Sequence, residues 1–64
     1  MPGLSERQRN LLRCVRTEPW SSTAEAAAYA GITEAVARES LRRLAERGLL
    51  VERRDCWALV KVVK

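Results

Sequence analysis

Residues 22–59 carry most of the information about the fold, and they read STAEAAAYAGITEAVARESLRRLAERGLLVERRDCWAL. They begin with a capping box, in which the hydroxyl of Ser22 and the side chain of Glu25 satisfy free amides of a first helical turn. An alanine-rich segment continues as far as Gly31, which suits the left-handed conformation that ends many helices. The pattern predicts a short helix at about residues 23–30.

A longer helix is predicted directly after this turn, at about residues 34–47. Thr33 is a residue type that caps helix N-termini well. Ala37, Leu41 and Leu44 follow at spacings of four and three residues, so they share the face that packs into the core. A glycine then ends the segment.

The remaining residues change from helical to β-rich composition. Residues 49–53 and 57–63 are rich in leucine, valine and tryptophan, which favour strands. The three residues Arg54-Asp55-Cys56 lie between them, and this length suits a tight turn. We therefore expect a two-stranded β-hairpin at about residues 49–63.

On the N-terminal side, the sequence predicts a first helix at about residues 6–17. Ser5 and Gln8 form another capping box, and an apolar stripe at helical spacing follows them. Pro19 ends this helix, because the residue before a proline avoids helical geometry. Trp20 lies between the first two helices and is expected to fill the core.

The size and composition of the chain argue against an enzyme. A chain of 64 residues forms one small domain with a thin core, which leaves little room for a catalytic cleft. The sequence has no histidine, no Cys-x-x-Cys pair and no glycine-rich phosphate loop. We therefore expect no metal site, no cofactor and no small-molecule ligand.

The charge of the chain favours a polyanionic partner without establishing one. Lys and Arg number 12 against 8 Asp and Glu, which gives a net charge of +4. Most of these cations are arginines, whose planar side chain fits phosphates and base edges, although solvated helix faces have a similar composition. The sequence has no apolar run of membrane-spanning length, so we expect a soluble, cytoplasmic protein without a membrane partner.

This order of elements resembles the winged helix-turn-helix domain of bacterial and phage transcription regulators. The residues that carry the resemblance are Ala27, Gly31, Ile32, Leu41, Leu44, Gly48, Leu49 and Leu50. The resemblance implies an α+β fold, with a three-helix core and a C-terminal two-stranded β-hairpin wing, in one domain over residues 1–64. The sequence departs from the family at Ala26 and Ala30, where leucine is common, so Trp20, Tyr29 or Trp57 is expected to fill the space.

The resemblance also implies sequence-specific binding of double-stranded DNA, in a small transcriptional regulator or accessory factor of bacterial, phage or plasmid origin. In the family, the first residues of the third helix enter the major groove. By position, these residues are Thr33, Glu34, Ala35, Arg38, Glu39 and Arg42. Among them, Arg38 is the candidate for a bidentate contact to guanine and Arg42 for a phosphate contact.

Two further DNA contacts follow from the same resemblance. Arg53 and Arg54 at the tip of the wing are expected against the minor groove or the backbone. Ser22 and Thr23 are candidates to bind a phosphate together with the free amides of the second helix. Simpler roles also explain these residues, since charge keeps an edge hairpin soluble and a cap needs a hydroxyl.

Two other functions stay open on the sequence alone. Glu34 and Glu39 would repel phosphates unless one of them accepts from a cytosine amino group. On a solvated helix they would instead pair with neighbouring arginines, namely Arg38, Arg42 and Arg43, and they also suit a face that docks a protein. The arginine content would also suit an RNA-binding winged helix. A lone domain covers few base pairs, so a homodimer or a protein partner remains an alternative route to tight binding.

Overall fold

The computed structural model describes residues 5–63 and shows an α+β fold. In chain order the described elements are α1 (Glu6–Thr17), β1 (Ser21–Ser22), α2 (Thr23–Ala30), α3 (Glu34–Glu46), β2 (Leu50–Arg53), β3 (Cys56–Leu59) and α4 (Val60–Val63). The first three helices pack together, and a small antiparallel sheet lies against them.

Both capping boxes that the sequence predicts are present. The hydroxyl of Ser5 accepts from the amide of Gln8 at 3.1 Å, and the side-chain oxygen of Gln8 accepts from the amide of Ser5 at 3.1 Å. Ser22 and Glu25 make the same reciprocal pair, with both distances at 3.0 Å. These pairs satisfy amides that have no partner inside the helix, so they fix the first residue of α1 and of α2.

The turn between α2 and α3 depends on Gly31. Gly31 has φ +71°, the left-handed conformation expected for it. The amide of Ile32 then donates to the carbonyl of Ala27 at 3.0 Å, which closes the end of α2. Thr33 caps α3 by accepting from the amide of Val36 at 3.2 Å. The two helices therefore follow each other within three residues and meet at a fixed angle.

The core lies where α1, α2 and α3 meet, and the sheet closes one side of it. Its buried apolar residues are Leu11, Cys14, Val15, Ala26, Ala27, Ala37, Leu41, Leu44, Leu50 and Trp57. The alanines leave room for the helices to approach closely, and Trp57 is buried in the same cluster. Of the three aromatic candidates, Trp57 is the one in the core, and Tyr29 is 52% exposed. The prediction that Trp20 fills the core is wrong, since Trp20 lies half-buried outside this cluster.

The sheet has three strands, which corrects the predicted two-stranded hairpin. Strand β1 pairs antiparallel with β3, with Ser21 opposite Trp57, so β3 is central in the order β1-β3-β2. The β2–β3 turn contains only Arg54 and Asp55, at φ +50° and +65°, and Cys56 already belongs to β3. Positive φ at both positions is what a two-residue turn of type I′ requires.

The C-terminal end of the predicted wing is also different. Strand β3 ends at Leu59, and Val60–Val63 forms the short helix α4 although its composition favours strands. The partner strand β2 begins at Leu50, directly opposite Leu59, so later residues have no β2 residue to pair with. Helix α3 likewise ends at Glu46, one residue before the predicted end.

The packing of α3 predicts a large effect of one substitution. Leu44 is fully buried, so we expect Leu44→Ala to lower the free energy of unfolding by about 2–5 kcal/mol, because it leaves a cavity in a thin core. Leu49 is 39% exposed, and Leu49→Ala is the matched control with an expected loss below about 1 kcal/mol. Urea denaturation measures both. Equal losses would contradict packing of α3 through Leu44.

Candidate nucleic-acid interface

Helix α3 is packed on one side and open on the other. Ala37, Ser40, Leu41 and Leu44 are its buried residues. A shallow groove runs along the opposite side, and it is lined by Ala35, Arg38, Glu39, Arg42, Arg43 and Glu46. Arg42 is exposed and lies two helical turns after Ala35, so these two residues mark the middle of the open face.

Arg38 lies at the edge of this open face, next to the β2–β3 turn. Its guanidinium forms an ion pair with Asp55, with 3.2 Å between Nη2 and Oδ2. Nε donates to the other carboxylate oxygen at 3.4 Å. The two side chains are 40% and 52% exposed, so the pair is partly shielded from solvent. It attaches the hairpin to the flank of α3.

The Asp55 carboxylate also belongs to a hydrogen-bonded chain that starts in the core. The buried indole Nε1 of Trp57 donates to the hydroxyl of Thr23 at 2.8 Å. That hydroxyl donates in turn to Oδ1 of Asp55 at 2.8 Å, and the amide of Thr23 donates to the Asp55 carbonyl at 3.1 Å. This network of hydrogen bonds joins β3, α2 and the β2–β3 turn. Through Arg38 it also reaches α3. The position of the turn is therefore fixed relative to all three.

These contacts keep Asp55 ionised. The hydrogen bond from Thr23, followed by those from Arg38, lowers the pKa of the Asp55 carboxyl below its ordinary value of 3.8. Since the pKa is lower in the folded chain than in the unfolded chain, the contacts of the carboxylate stabilise the fold above pH 3.8. Their contribution is lost as the pH falls through the lowered pKa.

Of the two residues at the start of α2, Ser22 has the predicted capping role, and Thr23 binds the β2–β3 turn. The side chain of Thr23 is fully buried and hydrogen-bonded, so it is not placed to contact a phosphate. Ser22 is partly buried, and both its hydroxyl and its amide are paired with Glu25. Capping and the attachment of the β2–β3 turn account for these residues.

The turn arginines lie in different environments. The guanidinium carbon of Arg53 lies 5.1 Å from the centre of the Trp20 ring, within the range of a cation–π interaction. Arg54 is exposed at the first position of the turn, and it takes part in no ion pair within residues 5–63. A shallow depression is lined by both arginines together with Trp20 and Cys56.

The other predicted residues lie at the N-terminal end and on the open face of α3. Thr33, Glu34 and Ala35 are exposed. Glu39 is paired with Arg43 at 3.2 Å, one helical turn away. This pairing leaves Arg42 as a cation of the open face that has no ion-pair partner in the described part of the chain.

Sequence reasoning missed the role of Asp55, which it treated only as a turn residue. The residues that bind Asp55 are 17 and 32 positions away in the chain, so no local pattern links them. The pair Glu39–Arg43 has the i,i+4 spacing of helical ion pairs, and the sequence does carry that signal.

Comparison of the chain with protein-family models, curated proteins and solved structures gives no match. The arrangement of three helices and a small antiparallel sheet is compatible with a winged helix fold. Over residues 5–63, no three or more acidic or cysteine side chains cluster in a way that would hold a metal ion. No helix in the same range has the length and apolar character needed to span a membrane.

The Thr23 hydroxyl provides a test of the network around Asp55. We expect Thr23→Val to lower the free energy of unfolding by about 1–3 kcal/mol, because the buried indole of Trp57 loses its acceptor while the shape is preserved. Thr23→Ser keeps the hydroxyl and should lose only about 1 kcal/mol with the methyl group. Urea denaturation measures both. A valine variant as stable as the wild type would show that the network does not hold the turn.

Proposed function

We propose that the chain is a winged helix-turn-helix domain that binds double-stranded DNA in a sequence-specific way. In this proposal, the open face of α3 lies in the major groove and the β2–β3 turn lies against the adjoining backbone or minor groove. The contact between Arg38 and Asp55 carries the proposal, because it holds the turn beside the open face of α3. The turn that carries Arg54 therefore lies beside the helix that carries Arg42.

The dimensions of α3 support this placement. A helix with its side chains is about 10–12 Å across, close to the width of the major groove of B-DNA. The 13 residues of α3 span about 20 Å, and one side of the helix is open along its length. The β2–β3 turn lies next to that side of the helix, so in this placement it faces the adjoining DNA backbone.

The ion pair with Asp55 suits Arg38 to base recognition. Asp55 accepts from Nε and Nη2, which form one edge of the guanidinium. Nη1 takes part in none of these bonds and remains for a ligand. A guanine that also takes a hydrogen of Nη2 would receive the two parallel N–H groups that its O6 and N7 accept. A side chain that is already oriented also loses less conformational entropy on binding.

The remaining cations suit contacts with the DNA backbone. Arg42 lies in the middle of the open face and Arg54 at the tip of the turn, both exposed. Glu39 is an acidic group of the same face, and its pairing with Arg43 reduces its repulsion of phosphates. We propose that the domain acts in a small transcriptional regulator or an accessory DNA-binding factor.

The decisive experiment is selection of duplexes from a random library, followed by measurement of affinity against salt concentration. We expect the logarithm of the association constant to fall linearly with the logarithm of salt concentration, with a slope near minus the number of phosphate contacts, about three to five. Fluorescence anisotropy with the enriched duplex measures this slope. No enriched duplex, a flat salt dependence, or tighter binding to single-stranded RNA would contradict the proposal.

Two substitutions separate base recognition from backbone contact. Arg38→Ala should weaken binding to the preferred duplex by roughly 1–3 kcal/mol and leave binding to random duplex nearly unchanged. Arg54→Ala should weaken both by similar amounts and reduce the salt slope by about one. Anisotropy titrations on variants with checked melting temperatures measure these effects.

The control for these variants is Arg7→Ala, which removes an exposed arginine of α1 outside the proposed interface. It should change neither affinity nor specificity beyond the small effect of net charge. Equal losses on both duplexes for Arg38→Ala would remove Arg38 as a base reader. A loss for Arg7→Ala as large as for Arg54→Ala would place the DNA on another face.

A further inference from the structure

An apolar groove lies on a part of the molecule that shares no residue with the α3 face. Its floor is formed by Leu12 of α1, Leu49, Leu59 of β3 and Val60 of α4. Leu49 is 39% exposed, and Leu12 and Leu59 are only partly buried against the core. Exposed apolar surface of this kind marks places where proteins bind other molecules. We call this surface the α1–α4 groove.

The edge of the α1–α4 groove is basic. Arg9, Arg13 and Arg16 are exposed at spacings of four and three residues, so they form a stripe along one face of α1. This stripe and Leu12 line a second depression, which shares Leu12 and Arg16 with the groove. Lys61 lies at the groove as well. The two depressions therefore form one continuous surface.

No acidic side chain of the described residues lines either depression. Neither of the two ion pairs within residues 5–63 involves the four cations of this surface, which are Arg9, Arg13, Arg16 and Lys61. The surface therefore combines an apolar floor with uncompensated positive charge at its edges. A ligand that matches it needs apolar groups in the middle and negative charge at the sides.

We infer that the α1–α4 groove binds an acidic amphipathic helix of another protein. Such a helix places apolar side chains at i, i+3, i+4 and i+7 into a groove and leaves its flanks for charged residues. Glutamates or aspartates on those flanks would face the arginine stripe of α1, which gives charge complementarity along the helix.

Charge and polarity favour this partner over two others. A symmetric homodimer through the groove would bring the arginine stripe close to its own copy, and like charges repel. DNA would meet the arginines but gain little from a floor of leucine and valine side chains. An acidic helix satisfies both parts of the surface. Because the groove shares no lining residue with the α3 face, it would stay available while DNA is bound.

The test uses the full chain and a designed probe. The probe is a fluorescein-labelled synthetic peptide with leucine at i, i+3, i+4 and i+7 and glutamate on the flanks; the matched control peptide carries lysine in place of glutamate. Anisotropy measures affinity, and amide chemical shifts locate the binding site. We expect the acidic peptide to bind with shifts at Leu12, Leu49 and Leu59, and the basic peptide to bind at least about tenfold more weakly.

Variants of the chain then separate the groove from overall charge. Arg13→Glu combined with Arg16→Glu should weaken binding of the acidic peptide about tenfold or more, because two attractive contacts become repulsive. Arg7→Glu combined with Arg47→Glu changes the net charge equally. Both residues are exposed and line neither the α1–α4 groove nor the α3 face, so affinity should stay within about threefold. Leu49→Ala should weaken binding without a large change in melting temperature.

Four results would overturn the inference. They are equal binding of the two peptides, chemical shifts that map to α3, no binding of the acidic peptide at about 1 mM, and a groove already occupied by a second copy or by the chain's own terminal residues. Sedimentation equilibrium and nuclear Overhauser effects across the groove detect the last case. Duplex binding is measured separately, so failure here is distinguishable from failure of the proposed function.

Discussion

The hydroxyl of Thr23 is where the buried core and the exposed face of α3 are connected. It accepts from the indole of Trp57 and donates to Asp55, which a hydroxyl can do because it is both donor and acceptor. Through this group, a core side chain helps to hold the β2–β3 turn in place, and Asp55 of that turn orients Arg38. A valine of the same shape would fill the space, but it could neither accept from Trp57 nor donate to Asp55.

The sequence predicts the three main helices well because their ends are determined locally. The capping boxes and the left-handed Gly31 act within four residues, so their patterns are visible before any fold is known. Strand β1 gives no such signal. It has two residues, too few for an alternating pattern, and it exists because Ser21 pairs with Trp57 far along the chain. The strand that composition predicts at Val60–Val63 is absent for a related reason, because valines form a strand where a partner strand is present to pair with.

The candidate interface is predictable to the extent that it depends on helical periodicity. The spacing of Leu41 and Leu44 identifies the buried side of α3, and the open face follows from it. Burial and long-range pairing are not predictable in this way. Thr23 fits a phosphate-binding helix start as well as a cap, and only the tertiary structure shows that its side chain is enclosed. Arg38 and Asp55 likewise meet only because the tertiary structure places the hairpin beside α3.

Arginines of this chain act in two chemically different settings. On α3, carboxylates hold Arg38 and Arg43, which suits recognition that depends on direction. On α1, the arginines lie beside exposed leucines without such partners, which suits recognition that depends on net charge and apolar area. A domain with so thin a core cannot bury every large apolar side chain, and Leu49 remains partly exposed. Positive charge around that exposed area opposes self-association. The same charge makes this surface, which a small domain fails to bury, selective for an acidic partner.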